Sequence, residues 1–200
     1  GLSSTEAVLA VIRSRFQFFA KAGRQEFTYP RARYNAAVAR HGKVRGRLQL
    51  LAALYGYAQP VVATFTGKAS QAFEDLLGRN PRCPSPFIEK VIRPANVDAP
   101  SGKELPVYAF WMKVGPGEPK RVGEEGQQSI ATLPRLILPA IVDEAYIHKA
   151  YVQPDNLVKF IQWFHAAKRW AQEWDSGQVN DAEDDGQNGN APAEEKESKW

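Results

Sequence analysis

The sequence predicts a mainly α fold: a helical bundle with a small β-strand or hairpin insertion and a disordered acidic C-terminal tail. Three observations lead there. Val8, Val11, Ile12, Phe16 and Phe19 recur with the three- and four-residue spacing of one helical stripe. Leu157, Phe160, Ile161, Phe164, Ala167 and Ala171 repeat that spacing nearer the C-terminus. Only residues 107–114, VYAFWMKV, have the β-branched and aromatic composition of a strand.

Taken in order, the first helix opens on a capping box, Ser3 with Glu6, and ends near Gly23. Arg13, Gln17 and Lys21, four residues apart, take its opposite face. Pro30 is placed to open a second helix from about Arg31. Gly42 and Gly46 fall inside it, where each costs about 1 kcal/mol against Ala. Either the helix breaks near His41 and Gly42, or the glycines admit a close partner. The run LQLLAAL, residues 48–54, is solidly apolar and should be buried. Tyr55 and Gly56 read as a helix stop, and Gln59 and Pro60 restart the chain. A further helix fits residues 68–77, closed by Gly78. Six prolines make residues 79–106 an irregular connection. The turn GPGEP follows the strand at 107–114, and a hairpin would return through Arg121 and Val122. Pro134 and Pro139 punctuate the approach to a short helix around 140–150, and Pro154 starts the last helix, which runs to about Trp174. No internal repeat is visible.

Charge separates the chain into two parts. Residues 1–174 hold 24 basic and 14 acidic side chains, a net +10. Residues 175–200 hold eight acidic side chains and two Lys, without apolar periodicity, the composition of a disordered segment. The expected organisation is therefore a helical nucleic-acid-binding domain over 1–175, with an insertion at about 79–133, and a disordered acidic tail over 176–200. Ten Lys or Arg and one acidic residue, Glu26, lie between Arg13 and Arg47. Uncompensated positive charge on that scale points to a polyanion, and nucleic acid is the first to consider. No apolar run reaches the roughly 20 residues of a membrane span, and the N-terminus lacks the basic region of a signal peptide. One cysteine, Cys83 in the loop-like NPRCPSP, allows no internal disulfide, which fits a cytoplasmic location.

Nothing in the sequence is arranged for catalysis. His41, His148 and His165 are far apart and have no metal-ligand spacing, and the chain has no nucleophile elbow. GKAS at residues 67–70 lacks the upstream glycine of a phosphate-binding loop. The expectation is a protein that is not an enzyme and holds no cofactor or metal. Its candidate nucleic-acid-binding residues are Arg31, Arg33, Arg40, Lys43, Arg45 and Arg47, with Lys168 and Arg169 on the last helix. Arg33, Arg40 and Arg47 are seven residues apart, so an unbroken helix would put them on one face spanning about 21 Å, enough to track several phosphates. No base-reading motif accompanies them, which implies backbone contacts. Tyr34 either stacks a base or packs at a helix start, and packing is favoured. Trp163, Trp170 and Trp174 suit a core edge or a subunit interface better than a stacking platform.

Two segments resemble a known family, the small helical subunit of Cmr-type (type III) CRISPR effector complexes. LQLLAALYGYAQPVVATFTGK, residues 48–68, is similar to that family's apolar helix, Gly, Gln and second apolar helix, with Gly56 and Gln59 at the matching offset. Tyr34 sits where the family tends to carry an aromatic. YVQPDNLVKFIQWFHAAKRWAQEW, residues 151–174, is similar to its closing helix. The resemblance implies a non-catalytic subunit that contacts a guide–target duplex through basic residues. Its partners would be RNA ahead of DNA, other subunits and further copies of itself, with no membrane. Two other classes share the charge and the aromatic edges. One is a helical nucleoprotein or capsid subunit coating nucleic acid. The other is a single-strand binding protein with a regulatory acidic tail, against which the helical expectation counts because such proteins are usually β-barrels.

Overall fold

Period two, rather than period 3.6, governs the first half of the chain. The computed structural model describes residues 6–80, 82–100, 102–122 and 129–175. At its centre is one six-stranded antiparallel sheet of order β4-β3-β1-β5-β6, with β2 also paired to β1. This overturns the mainly α helical bundle.

The expected first helix is a strand, β1, Ala7–Ala22. Arg13, Arg15 and Gln17 alternate in it with Ser14, Phe16 and Phe18, as a pleated strand requires. A bulge between Val11 and Arg13 shifts that alternation by one residue at Ile12. Across the shift, same-face neighbours such as Val11 and Ser14 stand three apart instead of two, and the apolar residues of both faces together imitate a helical stripe. The stripe is in fact split. Val11 and Phe16 pack into the main core, whereas Ile12 belongs to a second cluster on the opposite face.

β2, Gln25–Pro30, turns back along the end of β1. A 3₁₀ turn, Arg31–Arg33, leads into α1, Tyr34–His41, which stops at Gly42 (φ 69°). The expected second helix thus breaks at the first of its two glycines. β3, Arg45–Leu54, contains the apolar run and pairs with β1 along most of its length. Leu48, Leu50, Ala52 and Ala53 are buried, as expected of that run, but from a strand. β4, Val61–Thr66, completes a hairpin in which Tyr55 and Gly56 form the turn rather than a helix stop. α2, Lys68–Leu76, matches the expected third helix, with Gly78 beyond it at φ 68°.

The described residues of the expected insertion, about 79–133, contribute to the core and to the sheet. A π-helical turn, Ile88–Ile92, and the short α3, Arg93–Ala95, follow α2. Phe87, Val91, Phe110 and Met112 from this stretch are fully buried core residues. β5, Met112–Val122, pairs with the start of β1 and continues through GPGEP with a register shift between Pro116 and Pro119, and β6, Ser129–Leu136, returns beside it. α4, Glu144–Ala150, is capped by Asp143, whose side chain accepts from Tyr146 N–H at 2.8 Å. The expected last helix divides at Ala167 into α5, Pro154–Ala166, and α6, Lys168–Asp175. Among the described residues no helix is long and apolar enough to cross a membrane. Ser3 and the tail over 176–200 lie outside the described residues.

Residues directly opposite in an antiparallel pair share a face, which assigns every side chain of the β1–β3–β4 sheet. One face holds Leu9, Val11, Phe16, Leu48, Leu50, Ala52 and Phe65, packed under α2 and the 87–92 turn. Phe65 meets Phe73 of α2 with ring centroids 4.2 Å apart. Ala10, Ile12 and Ala53 on the other face are covered by Phe160 of α5 and by Val152.

Gly46 serves a close approach within the chain. A Cβ there would lie 2.5 Å from Cζ of Phe16. We expect Gly46→Ala to destabilise the protein by about 1–3 kcal/mol through overpacking, read as a lower midpoint in urea denaturation at unchanged slope.

Candidate nucleic-acid interface

The second sheet face collects the basic residues, and strand period explains why. The series Arg-x-Arg-x-Gln occurs twice, at Arg13, Arg15 and Gln17 of β1 and at Arg45, Arg47 and Gln49 of β3. Side chains two apart share a face, and the antiparallel register sets Arg15 opposite Gln49 and Gln17 opposite Arg47. The two pairs are reciprocal. Arg15 Nε donates to Gln49 Oε1 at 2.7 Å, and Arg47 Nε donates to Gln17 Oε1 at 2.7 Å. Gln49 Nε2 donates in turn to Thr64 Oγ1 on β4, at 3.3 Å.

The arginines of β1 are occupied in holding the C-terminal helices. Arg13 Nε donates to the Phe164 carbonyl at 2.6 Å, with its guanidinium 3.7 Å from the Phe164 ring centre. Arg15 Nη1 donates to the Trp170 carbonyl at 3.3 Å and lies 4.2 Å above the Trp170 ring. Each cation–π contact is worth about 0.5–2 kcal/mol. Burial lowers the pKa of Arg13, with the nearby Tyr108 opposing that shift, and burial likewise raises the Tyr108 phenol. Through these anchors α5 and α6 lie over β1, and α6 reaches β2.

The β3–β4 part of the same face stays open. Arg45, Val62, Thr64 and Thr66 are exposed on it, and Lys43 precedes it. Arg47 is half-buried; its Nη1 also donates to Glu26 Oε1 at 2.6 Å, so two of five guanidinium donors have named partners. Its guanidinium stands 5.3 Å from the Phe19 ring centre. Glu26 is the acidic residue that the β1–β2–β3 register brings to this face, opposite Lys21. The strip presents cations and neutral hydrogen-bonding side chains over an aliphatic base, suited to a phosphate backbone.

The expected helical row of Arg33, Arg40 and Arg47 does not exist. Arg33 ends the 3₁₀ turn, Arg40 is on α1 and Arg47 is on β3. α1 packs through Tyr34 on Phe18 (4.6 Å) and His41 on Phe27 (5.0 Å), both on the face opposite Arg47. Tyr34 therefore packs, as favoured, although 45% of its surface stays exposed. Lys43, Arg45 and Arg47 do come together with the open strip, and Lys168 and Arg169 are exposed on α6, which crosses the same face. The side chains of Arg31 and Trp174 lie outside the described residues. Trp163 and Trp170, expected at a core edge or a subunit interface, have contacts within the chain and stay partly exposed: Trp163 stacks on Phe160 at 5.5 Å, and Trp170 lies under Arg15. Sequence reading did not single out Gln49, Thr64 and Thr66; the alternation in VVATFT, residues 61–66, is the signal for the two threonines, and the solidly apolar run around Gln49 offers none.

No protein family, curated protein or solved structure matches the chain.

The reciprocal pairs give a stability test. Gln49→Leu leaves a donor of Arg15 unpaired in a half-buried site and is expected to cost about 1–3 kcal/mol. A double-mutant cycle of Arg15→Met with Gln49→Leu should show coupling of about 0.5–3 kcal/mol, and the distant pair Arg15 and Phe73 should be additive.

Proposed function

We propose that this protein is a non-catalytic, sequence-independent nucleic-acid-binding subunit that takes a strand along the open β3–β4 strip. The observation that supports this most is the row of exposed Arg45, Thr64 and Thr66 with half-buried Arg47 and Gln49 on one sheet face, preceded by exposed Lys43, where Glu26 is the one acidic residue that the strand register brings to that face. Neutralising phosphates with such a row releases counterions and favours polyanions of any sequence. A β-sheet binding surface also removes the objection to a single-strand binding protein. Of the two segments similar to the CRISPR subunit family, residues 48–68 form the β3–β4 hairpin and residues 151–174 form helices, so the helical part of that likeness rests on the second. That second segment favours RNA as the polymer and neighbouring subunits as partners.

Lys43→Ala with Arg45→Ala should weaken binding to unrelated RNA and DNA oligomers equally. The slope of log affinity against log salt should fall by about 0.7 per charge removed on single strands. Arg40→Ala, on the other face, should leave both unchanged. An unaltered slope in the double variant would sink the proposal.

The acidic segment follows α6 in the chain, and α6 packs on β1 and β2 of the basic face. Removing residues 176–200 should tighten oligomer binding several-fold at 20 mM salt and have little effect at 0.3 M, where screening shortens the reach of the tail's charge.

A further inference from the structure

At its far end, the β3–β4 strip runs into an aromatic cleft. Its lining includes Tyr55 and Tyr57 from the hairpin turn, Trp111 before β5, and Asn156, Lys159 and Trp163 from α5, and its volume is about 430 Å³. That lies within the range of small-molecule sites, about 300–1,000 Å³. Tyr55 and Tyr57 are 66% and 48% exposed, so both rings are accessible from solvent. Tyr55 meets Trp111 edge-on with centroids 5.3 Å apart and planes at 80°, which makes a corner of two ring faces. Trp111 is held by Phe160 at 5.5 Å, and Phe160 by Trp163 at 5.5 Å and 22°, so the wall behind the corner is continuous aromatic packing.

The polar groups say what kind of ring would enter. Lys159 and Asn156 line the cleft and no carboxylate does, which disfavours an organic cation and favours a planar group with an attached anion. An amide beside ring faces provides both a donor and an acceptor for the edge of a heterocycle. From Arg47 to Tyr55 the strand spans eight residues, about 26 Å, on the scale of the smallest single-strand sites, about four nucleotides.

We propose that this cleft is a nucleobase-binding site, filled by a base of the strand whose phosphates lie on the β3–β4 strip. The inference rests on the proposed function and deepens it, because a base can enter a ring-walled cleft only when it is free of its duplex neighbours. The polymer bound is therefore single-stranded.

The test uses the full chain, a 12-nucleotide oligo-U, oligo-dT of equal length, an oligomer abasic at every position, a 12-base-pair duplex and uridine monophosphate. Binding is read by fluorescence anisotropy for the oligomers and by tryptophan quenching for the mononucleotide. Wild-type protein should prefer oligo-U or oligo-dT over duplex and abasic oligomer by tenfold or more, the range of one or two base–aromatic stacks. Tyr55→Ala with Tyr57→Ala should remove that preference and leave duplex affinity unchanged, and Tyr55→Phe with Tyr57→Phe should retain it. Equal affinity of wild type for base-bearing and abasic strands would overturn the cleft assignment alone, provided binding still depends on Lys43 and Arg45. Saturable binding of uridine monophosphate below millimolar concentration would assign the cleft to a free nucleotide and overturn the strand reading. Absence of binding to every polymer would overturn the proposed function with it.

Discussion

Two hydrogen bonds between β1 and β3, Arg15 to Gln49 and Arg47 to Gln17, hold the register on which the rest of the molecule depends. A one-residue slip of β3 against β1 would turn Arg45 and Arg47 toward the core and Leu48 and Leu50 away from it. The pairs are matched in both directions because each strand carries the same Arg-x-Arg-x-Gln series and the strands run antiparallel. A guanidinium and an amide facing each other satisfy donors and acceptors without adding acidic charge. The face can therefore be ordered and remain strongly positive.

The bulge at Ile12 divides that face. On its N-terminal side, Ala10, Ile12 and Ala53 form a small apolar floor that α5 covers with Phe160. On its C-terminal side the same face turns polar, and Arg13 and Arg15 take the backbone carbonyls of Phe164 and Trp170. Helix and basic surface thus meet along β1. Arg13 and Arg15 are engaged in anchoring the helices, whereas on β3 Arg45 is exposed and Arg47 is half-buried against Gln17 and Glu26. Basic charge in the sequence consequently has two separate uses, and only position on the sheet tells them apart.

Much of the second half was legible because its signals are local. Pro154 opens α5, and of the run 107–114 expected as a strand, Met112 to Val114 are in β5, whereas Val107–Ala109 form a 3₁₀ turn. β1 was not legible, since a bulge is a property of two paired strands and cannot be seen in one. The arginine row at seven-residue spacing failed for a related reason: spacing has meaning only once the period of the element is known. The cleft was also hidden, because Tyr55 and Tyr57 come from a turn, Trp111 from the approach to β5 and Trp163 from α5. No linear pattern connects them.

What the sequence determined by itself was an excess of positive charge over a large apolar content, an acidic C-terminal segment, and the lack of any metal or nucleophile motif. These follow from composition and short-range spacing, and folding does not alter them. Tertiary structure alone decided which cations face outward, that the run LQLLAAL is a strand, and that five aromatic side chains from three segments line one cleft. Strand pairing makes those decisions. It joins residues distant in the chain, and in a sheet a side chain's face is set by its partner strand as much as by its neighbours in sequence.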